Sequence, residues 1–189
     1  YKIIGVDSMN DYYDPKIKEI RNEILINNNT NYKFFKLDFS KFNEINNLIL
    51  LEKPELIIHL AAQAGVRYSL TNPWAYQDAN HLGTMNIFES AKLNGIKRVL
   101  FASSSSVYGK NEKKPFTESD RTDNPISLYA ASKKSNEMVA HSYHHLYGIE
   151  TAGFRFFTVY GKYGRPDLAL FKFVKNILQD KPIDLYNNG

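Results

Sequence analysis

A tyrosine and a lysine four residues apart, Tyr129 and Lys133, could carry out acid–base chemistry in this chain. Residues at positions i and i+4 lie on one face of a helix, so the lysine ammonium can sit beside the phenol. A neighbouring positive charge favours the ionised form of a phenol, which makes the tyrosine a candidate proton acceptor. The spacing therefore predicts a tyrosine general base supported by a lysine.

A run of serines, Ser103 to Ser106, precedes this pair in the chain. It follows the short apolar segment 98–102, RVLFA, which is typical of a buried strand. Hydroxyl groups that follow a strand lie at the carboxyl end of a parallel sheet, where open α/β folds bind ligands. We therefore expect Ser104 and the Tyr129–Lys133 pair to face one pocket.

Short apolar segments alternate with helical segments along most of the chain. The predicted strands are residues 2–6, 32–37, 55–60, 98–102 and 150–156, and the predicted helices are residues 15–26, 42–52, 74–93 and 128–147. This alternation predicts an α/β fold with a doubly wound parallel sheet and right-handed crossovers. Beyond Gly161 the pattern changes to a Gly/Pro-containing loop, a helix at 168–179 and an extended segment at 183–186.

The composition is that of an ordinary globular protein and narrows the classes of function. A chain of 189 residues with 43% hydrophobic content can form one substantial core. The net charge of +4 is spread along the chain, and the only compact basic cluster is residues 110–114, which disfavours nucleic-acid binding.

The same composition also disfavours metal and membrane functions. The chain has no cysteine, and its five histidines lack a metal-binding spacing, so we expect no metal site. No apolar run is long enough to span a bilayer. We expect a cytoplasmic enzyme.

Motifs around these residues resemble the extended short-chain dehydrogenase/reductase family of nucleotide-sugar epimerases and dehydratases. They are HLAAQAGV at 59–66, NHLGTMN at 80–86 and FRFFTVYG at 154–161. Likeness to the UDP-glucuronate 4-epimerase branch is carried by VDSMNDYYD at 6–14, AGVRYS at 64–69 and GRPD at 164–167. The resemblance implies a Rossmann-type fold, NAD as cofactor, a UDP-sugar substrate and a homodimer.

The resemblance also implies roles for individual residues. Tyr129 would exchange a proton with the sugar 4-hydroxyl, Ser104 would hold the reacting oxygen, and Lys133 would bond the nicotinamide ribose. The cofactor-binding residues would be Asp7, Asp38, Phe39, Ala61, Ala62, Gln63, Asn80 and Lys133. The carboxylate of Asp7 would repel a 2′-phosphate, which points to NAD rather than NADP. Asp38 could equally be a turn residue.

Residues after Ser104 discriminate among the reactions of this family. Members that eliminate water carry an acidic pair where this chain has Ser105 and Ser106, so the chain resembles a 4-epimerase. These two serines, with Thr158 and Arg165, could bind a sugar carboxylate. The leading hypothesis is interconversion of UDP-glucuronate and UDP-galacturonate through a 4-keto intermediate. The alternatives are a UDP-glucose/UDP-galactose-type 4-epimerase and a catalytically silent, truncated nucleotide-binding module.

The position of Asp7 carries an expectation about the extent of the chain. In dinucleotide-binding folds, a strand, a glycine-rich turn and a helix precede the strand that ends in such an acidic residue. Here Asp7 ends the first strand, so we expect a fragment of a longer enzyme. Residues 1–161 would be a partial NAD-binding Rossmann domain without its first strand–turn–helix, and residues 162–189 would begin a substrate-binding region.

Overall fold

The computed structural model describes residues 1–185. Its elements are β1 (Ile3–Asp7), α1 (Pro15–Asn28), β2 (Tyr32–Lys36), α2 (Phe42–Glu52), β3 (Ile57–His59), α3 (Tyr68–Thr71), α4 (Trp74–Tyr76), a π-helical turn (Gln77–Leu82), α5 (Gly83–Leu93), β4 (Arg98–Ala102), a 3₁₀ turn (Ser105–Tyr108), α6 (Leu128–Tyr147), β5 (Glu150–Phe154) and α7 (Ala169–Leu178).

The strands form two sheets. β1 pairs with β2, and β3, β4 and β5 form a parallel sheet in that order. In this parallel sheet Val99 lies opposite Ile57 on one side and Thr151 on the other. Because α5 connects β3 to β4 and α6 connects β4 to β5, the sheet is built from β–α–β units. The predicted α/β class with a parallel, Rossmann-type sheet is confirmed.

The chain divides into two compact units. One contains residues 36–157, and the other contains residues 1–35 together with the described residues from 158 onward. The sequence predicts a functional boundary between a Rossmann domain at 1–161 and a substrate-binding region from 162. The two compact units are defined by contacts between residues and not by function, so this boundary stays a prediction.

The core of the 36–157 unit is formed where α5 packs on the parallel sheet. Phe88 is fully buried, and its ring meets that of Phe101 edge to face at 6.1 Å. Val99 on the same strand is also fully buried. This packing fixes β4, the strand that leads into the serine run.

Helix α6 has the bounds that the sequence predicts because both of its ends carry strong signals. The Ser127 side chain accepts a hydrogen bond from the Ala130 N–H at 3.0 Å and caps the first turn. Gly148 adopts a positive φ of 67° and ends the helix, a conformation that a side chain would disfavour. The buried face of the helix includes Ser132, Lys133 and Asn136. Buried polar side chains are unusual in a core helix and make this surface a candidate functional site.

Two predicted elements differ from the structure. The single helix expected over residues 74–93 is interrupted by the π-helical turn Gln77–Leu82, which contains the fully buried Asn80. Such turns often occur at functional sites. Residues 183–185 form no strand, and Tyr186, the end of that predicted segment, lies outside the described residues. Across residues 1–185, none of the helices combines the length and apolarity needed to cross a membrane.

Candidate active site

Helix α6 carries Tyr129 and Lys133 on successive turns, as predicted. The Lys133 ammonium donates a hydrogen bond to the carbonyl of Ala102 at 2.7 Å, and the residue is only 3% exposed. Ala102 is the last residue of β4, two positions before Ser104. The lysine therefore lies at the carboxyl end of the central strand, where the sequence places the pocket.

Burial changes the protonation of Lys133. Removal from water disfavours the charged form and lowers the pKa of Lys133 from its ordinary value of 10.5 to about 8. The ammonium is therefore able to exchange its proton close to physiological pH, which an exposed lysine does not do.

This shift predicts how stability depends on pH. Between pH 8 and 10.5 the unfolded chain binds a proton at Lys133 that the folded chain lacks, so stability rises with pH. In the NAD-free, full-length protein the free energy of unfolding should gain up to about 3 kcal/mol across this window relative to Lys133→Met. Chemical denaturation at several pH values measures it, and parallel curves for the two proteins would contradict the burial of the charge.

Ser104 caps the 3₁₀ turn Ser105–Tyr108, which follows β4. Its Oγ accepts a hydrogen bond from the Ser106 N–H at 3.2 Å and lies 2.6 Å from the Ser106 Oγ. The Ser105 N–H donates to the carbonyl of Phe156 at 2.9 Å. Gly109 closes the turn with a φ of 56°, and a Cβ there would lie 2.0 Å from the carbonyl oxygen of Asn124. The hydroxyls of Ser104 and Ser106 are therefore held together on a rigid turn.

The ring of Tyr129 packs against Tyr76. The two rings meet edge to face at 6.1 Å, and the Tyr76 hydroxyl donates to the carbonyls of Ala64 and Gly65. Tyr76 thus connects the candidate base to the loop that follows β3. That loop also contains the predicted cofactor-binding residues Ala61, Ala62 and Gln63.

Asn80 fixes the same loop from the other side. Its Oδ1 accepts from the Gln63 N–H at 2.8 Å, and its Nδ2 donates to the Gln63 carbonyl at 3.0 Å and to the Ser132 Oγ at 2.9 Å. Ser132 immediately precedes Lys133 on α6. Asn80 therefore orders the backbone beside the candidate site, and direct contact with a cofactor stays a prediction.

The sequence analysis did not predict His59, the last residue of β3, as a candidate site residue. Its Nε2 forms a hydrogen bond with the Thr84 Oγ1 at 3.0 Å, and its ring meets Phe39 at 5.3 Å. Burial, aided by the positive charge of Lys133, lowers the pKa of His59 to about 3, so the ring is neutral. Its signal in the sequence was a histidine directly after the apolar residues of a predicted strand.

The sequence reading also missed Glu137, one turn after Lys133. It accepts hydrogen bonds from Ser103 and from both Nε and Nη2 of Arg155. The signal in the sequence was a third polar side chain that follows Tyr129 and Lys133 at the same four-residue spacing.

Two further predicted cofactor residues lie after β2. The Asp38 Oδ1 accepts from the Ser40 N–H at 2.9 Å, a turn contact that the sequence reading left open as an alternative. The Phe39 ring packs so closely on Gly83 that a Cβ at that glycine would lie 2.2 Å from it. Both residues have structural contacts, and their cofactor roles stay predictions.

Asp7, Thr158 and Arg165 belong to the other compact unit. Asp7 lies at the end of β1, where its carboxylate accepts from the Met9 N–H at 2.7 Å and from Lys18 at 3.2 Å. Arg165 forms a two-bond ion pair with Asp167, and Thr158 is exposed. Their roles also stay predictions.

A cavity of about 610 Å³ lies beside β5, and its lining includes Phe101, Glu137 and Arg155. Ser104, Tyr129 and Lys133 are not part of that lining, so the candidate site does not rest on this cavity. It rests on the hydrogen bond from Lys133 to the end of β4, the strand that precedes Ser104. Within residues 1–185, no group of three histidine, aspartate or glutamate side chains could hold a metal ion.

Sequence comparison relates the whole chain to one family. The profile of the NAD dependent epimerase/dehydratase family matches residues 1–189. An uncharacterized protein of Methanocaldococcus jannaschii is 60% identical over 188 residues, covering 100% of this chain and 57% of that protein. A probable UDP-glucuronate 4-epimerase of Rhizobium meliloti is 53% identical over 187 residues, covering 99% of this chain and 54% of that protein. The chain thus spans little more than half the length of these relatives.

Solved structures show the same fold over the whole chain. A Bacillus cereus UDP-glucuronic acid 4-epimerase in complex with UDP-glucuronic acid and NAD matches with a TM-score of 0.89 at 29% identity, covering 100% of this chain and 59% of that one. A Thermotoga maritima UDP-glucose 4-epimerase with UDP-glucose matches with a TM-score of 0.86 at 26% identity, covering 100% of this chain and 59% of that one. The dTDP-glucose 4,6-dehydratase DesIV of Streptomyces venezuelae, with NAD and TYD bound, matches with a TM-score of 0.89 at 27% identity. The match covers 100% of this chain and 56% of that one.

Proposed function

Because this chain belongs to the NAD-dependent epimerase/dehydratase family, we propose that it carries the catalytic centre of a nucleotide-sugar 4-epimerase acting on UDP-glucuronate and UDP-galacturonate. The observation that carries the proposal is the buried Lys133. It lies one turn after Tyr129 and donates a hydrogen bond to the carbonyl of Ala102, the last residue of β4, two positions before Ser104. The contact supports a site in which Tyr129 is the proton acceptor, Lys133 the cation and Ser104 the hydroxyl donor.

The residues present fit NAD. An ammonium has three N–H groups, and Lys133 makes one hydrogen bond among residues 1–185, to Ala102. Its other donors can serve the hydroxyls of a nicotinamide ribose. Asp7 has its carboxylate at a strand end, which suits the hydroxyls of an adenosine ribose and disfavours a 2′-phosphate.

When bound, NAD would accept a hydride from carbon 4 of the sugar and return it to the opposite face. Tyr129 would take the proton of the 4-hydroxyl and later give it back. The Ser104 hydroxyl would donate a hydrogen bond to the same oxygen as its charge develops. The sugar must turn over between the two transfers, so the chain's residues invert carbon 4 with no net redox change.

The fold alone does not distinguish epimerisation from dehydration, because epimerases and a dehydratase share it. The side chains at the positions after Ser104 distinguish the two reactions. Elimination of water needs a base at carbon 5 and an acid at the leaving hydroxyl. The positions after Ser104 hold Ser105 and Ser106, and the Ser106 hydroxyl is bonded to Ser104. Two hydroxyls cannot replace two carboxyl groups in that chemistry, which supports an epimerase.

The proposed preference for a uronic acid is argued from residue types and not from a site built across the two compact units. The hydroxyl groups of Ser105, Ser106 and Thr158 and the guanidinium of Arg165 are donors that suit a planar carboxylate. The ion pair with Asp167 fixes the plane of the Arg165 guanidinium. A UDP-glucose/UDP-galactose-type 4-epimerase is the second candidate, favoured by the fold likeness to the Thermotoga enzyme. The homodimer and the cytoplasmic location stay predictions.

Removing the Arg165 side chain should separate charged from neutral substrates. In the full-length protein, Arg165→Ala should lower kcat/KM for UDP-glucuronate about ten- to a hundredfold more than for any neutral UDP-hexose, because a charge-assisted hydrogen bond contributes about 1.5–3 kcal/mol. Chromatographic detection of both epimers measures it, with the nearby exposed Lys162→Ala as matched control. Equal losses on both sugars would favour the second candidate, and a wild-type protein that epimerises no UDP-sugar would contradict the proposed function.

A further inference from the structure

Glu137 joins three segments of the 36–157 unit. The Ser103 hydroxyl donates to its Oε1 at 2.6 Å. Arg155 donates from Nε to the same oxygen at 2.9 Å and from Nη2 to Oε2 at 3.0 Å. Ser103 directly follows β4, Arg155 directly follows β5, and Glu137 lies on α6. One carboxylate therefore ties the helix to the ends of two adjacent strands through a two-bond ion pair and a third hydrogen bond.

The same cluster holds the far end of the Ser104 turn. The Arg155 guanidinium lies 5.0 Å from the centre of the Tyr108 ring, and Tyr108 is the last residue of the 3₁₀ turn. Tyr108 in turn stacks on Phe116 at 4.5 Å. The Ser103–Tyr108 turn, meaning the 3₁₀ turn together with the two residues that precede it, is thus fixed at Ser103 by Glu137 and at Tyr108 by Arg155.

The helix side of the cluster is equally relevant to the chemistry. Glu137 follows Lys133 by one helical turn and Tyr129 by two. Fixing Glu137 against the strand ends therefore also fixes the position of both residues along the helix axis relative to the sheet. Burial alone would raise the pKa of Glu137, but hydrogen bonds from Arg155 and Ser103 and the nearby positive charges hold it below its ordinary value. The carboxylate is therefore ionised throughout the neutral range.

We infer that Glu137 is a positioning residue, which with Arg155 fixes α6 against the Ser103–Tyr108 turn and so sets the separation between the Tyr129 hydroxyl and the Ser104 Oγ. The inference rests on the proposed function, because it assigns these two groups to one reacting oxygen. Displacement of such groups by about 1 Å can lower a rate about a hundredfold. The cluster touches neither group directly, so its loss should affect turnover more than binding.

Three variants test the inference in the full-length protein. Ser103→Ala keeps the ion pair and removes the link to β4, whereas Glu137→Gln weakens the whole cluster. Both should lower kcat about ten- to a hundredfold with KM changed by less than about threefold. Arg155→Lys keeps the positive charge but cannot form the two-bond ion pair with Glu137, so its kcat should also fall below that of the wild type.

Glu89→Gln is the matched control. Glu89 on α5 accepts a hydrogen bond from the Tyr143 hydroxyl of α6 at 2.8 Å and forms an ion pair within its own helix with Lys92 at 2.6 Å. Within residues 1–185 it forms no hydrogen bond or ion pair with the Ser103–Tyr108 turn. Its kcat should equal that of the wild type even where its melting temperature falls. A kcat loss in Glu89→Gln as large as in Glu137→Gln would show a general stability effect and would overturn the inference.

Hydrogen exchange gives a readout that does not depend on turnover. The N–H groups of Val107 and Gly109 donate within the turn at 3.1 Å each, and they should exchange faster in Glu137→Gln. Unchanged protection, or wild-type kcat in folded Ser103→Ala, would overturn the inference. A wild-type protein without epimerase activity would contradict the proposed function instead, and the exchange data would still decide whether the cluster fixes the turn. If Glu137→Gln does not fold, Ser103→Ala decides both measurements.

Discussion

Replacing Tyr129 by phenylalanine should lower kcat for epimerisation by about 10²- to 10⁴-fold while the dissociation constant for the UDP-sugar changes little. The phenol transfers a proton in the transition state, so its loss raises the barrier without removing ground-state contacts of comparable size. Phenylalanine retains the ring that packs on Tyr76, so the fold and the loop after β3 should be preserved. Steady-state kinetics and calorimetric titration on the full-length protein measure the two effects separately.

Tyr147→Phe is the control for the Tyr129 experiment. Tyr147 is the last residue of the same helix and is 44% exposed, so the kcat of Tyr147→Phe should remain that of the wild type. Turnover of Tyr129→Phe at the rate of this control would remove Tyr129 from the role of general base. A parallel rise in the dissociation constant would assign the tyrosine to binding instead.

Acidification should destabilise the folded protein through His59. Its pKa lies near 3 when folded and near 6.5 in the unfolded chain, so between these values the unfolded chain binds the extra proton and stability falls as pH falls. The slope approaches about 1.4 kcal/mol per pH unit, which amounts to about 3 kcal/mol between pH 7 and pH 4. That is a large part of the about 5–15 kcal/mol that stabilises a typical domain.

Comparison with His59→Gln isolates this contribution. Glutamine can still bond to Thr84 but does not titrate, so the stability advantage of the wild type should shrink on acidification. Denaturant unfolding at pH 7, 5.5 and 4 measures the difference. His145→Gln, which removes an exposed histidine from α6, is the matched control for the exchange of histidine for glutamine. A constant difference between wild type and His59→Gln would show that the imidazole gains a proton without cost.

Much of the fold is determined locally and could be predicted. Helix α6 begins after a serine cap and ends at a glycine with positive φ, so its bounds follow from adjacent residues. The strand Arg98–Ala102 is a short apolar run, and the Tyr129–Lys133 spacing follows from the geometry of a helix. These features depend on neighbouring residues, which is why periodicity and capping signals are sufficient to place them.

The candidate site depends on contacts between distant parts of the chain, which only the tertiary structure decided. Lys133 reaches Ala102 across 31 positions, and Asn80 reaches Ser132 across 52. The π-helical turn around Asn80 has no local signal, and the predicted helix at 74–93 was therefore continuous. Residue types indicated that Tyr129, Lys133 and Ser104 could do chemistry. The pKa of Lys133, the neutral state of His59 and the Ser103–Glu137–Arg155 cluster arise from burial and packing, and none of the three is encoded by spacing along the sequence.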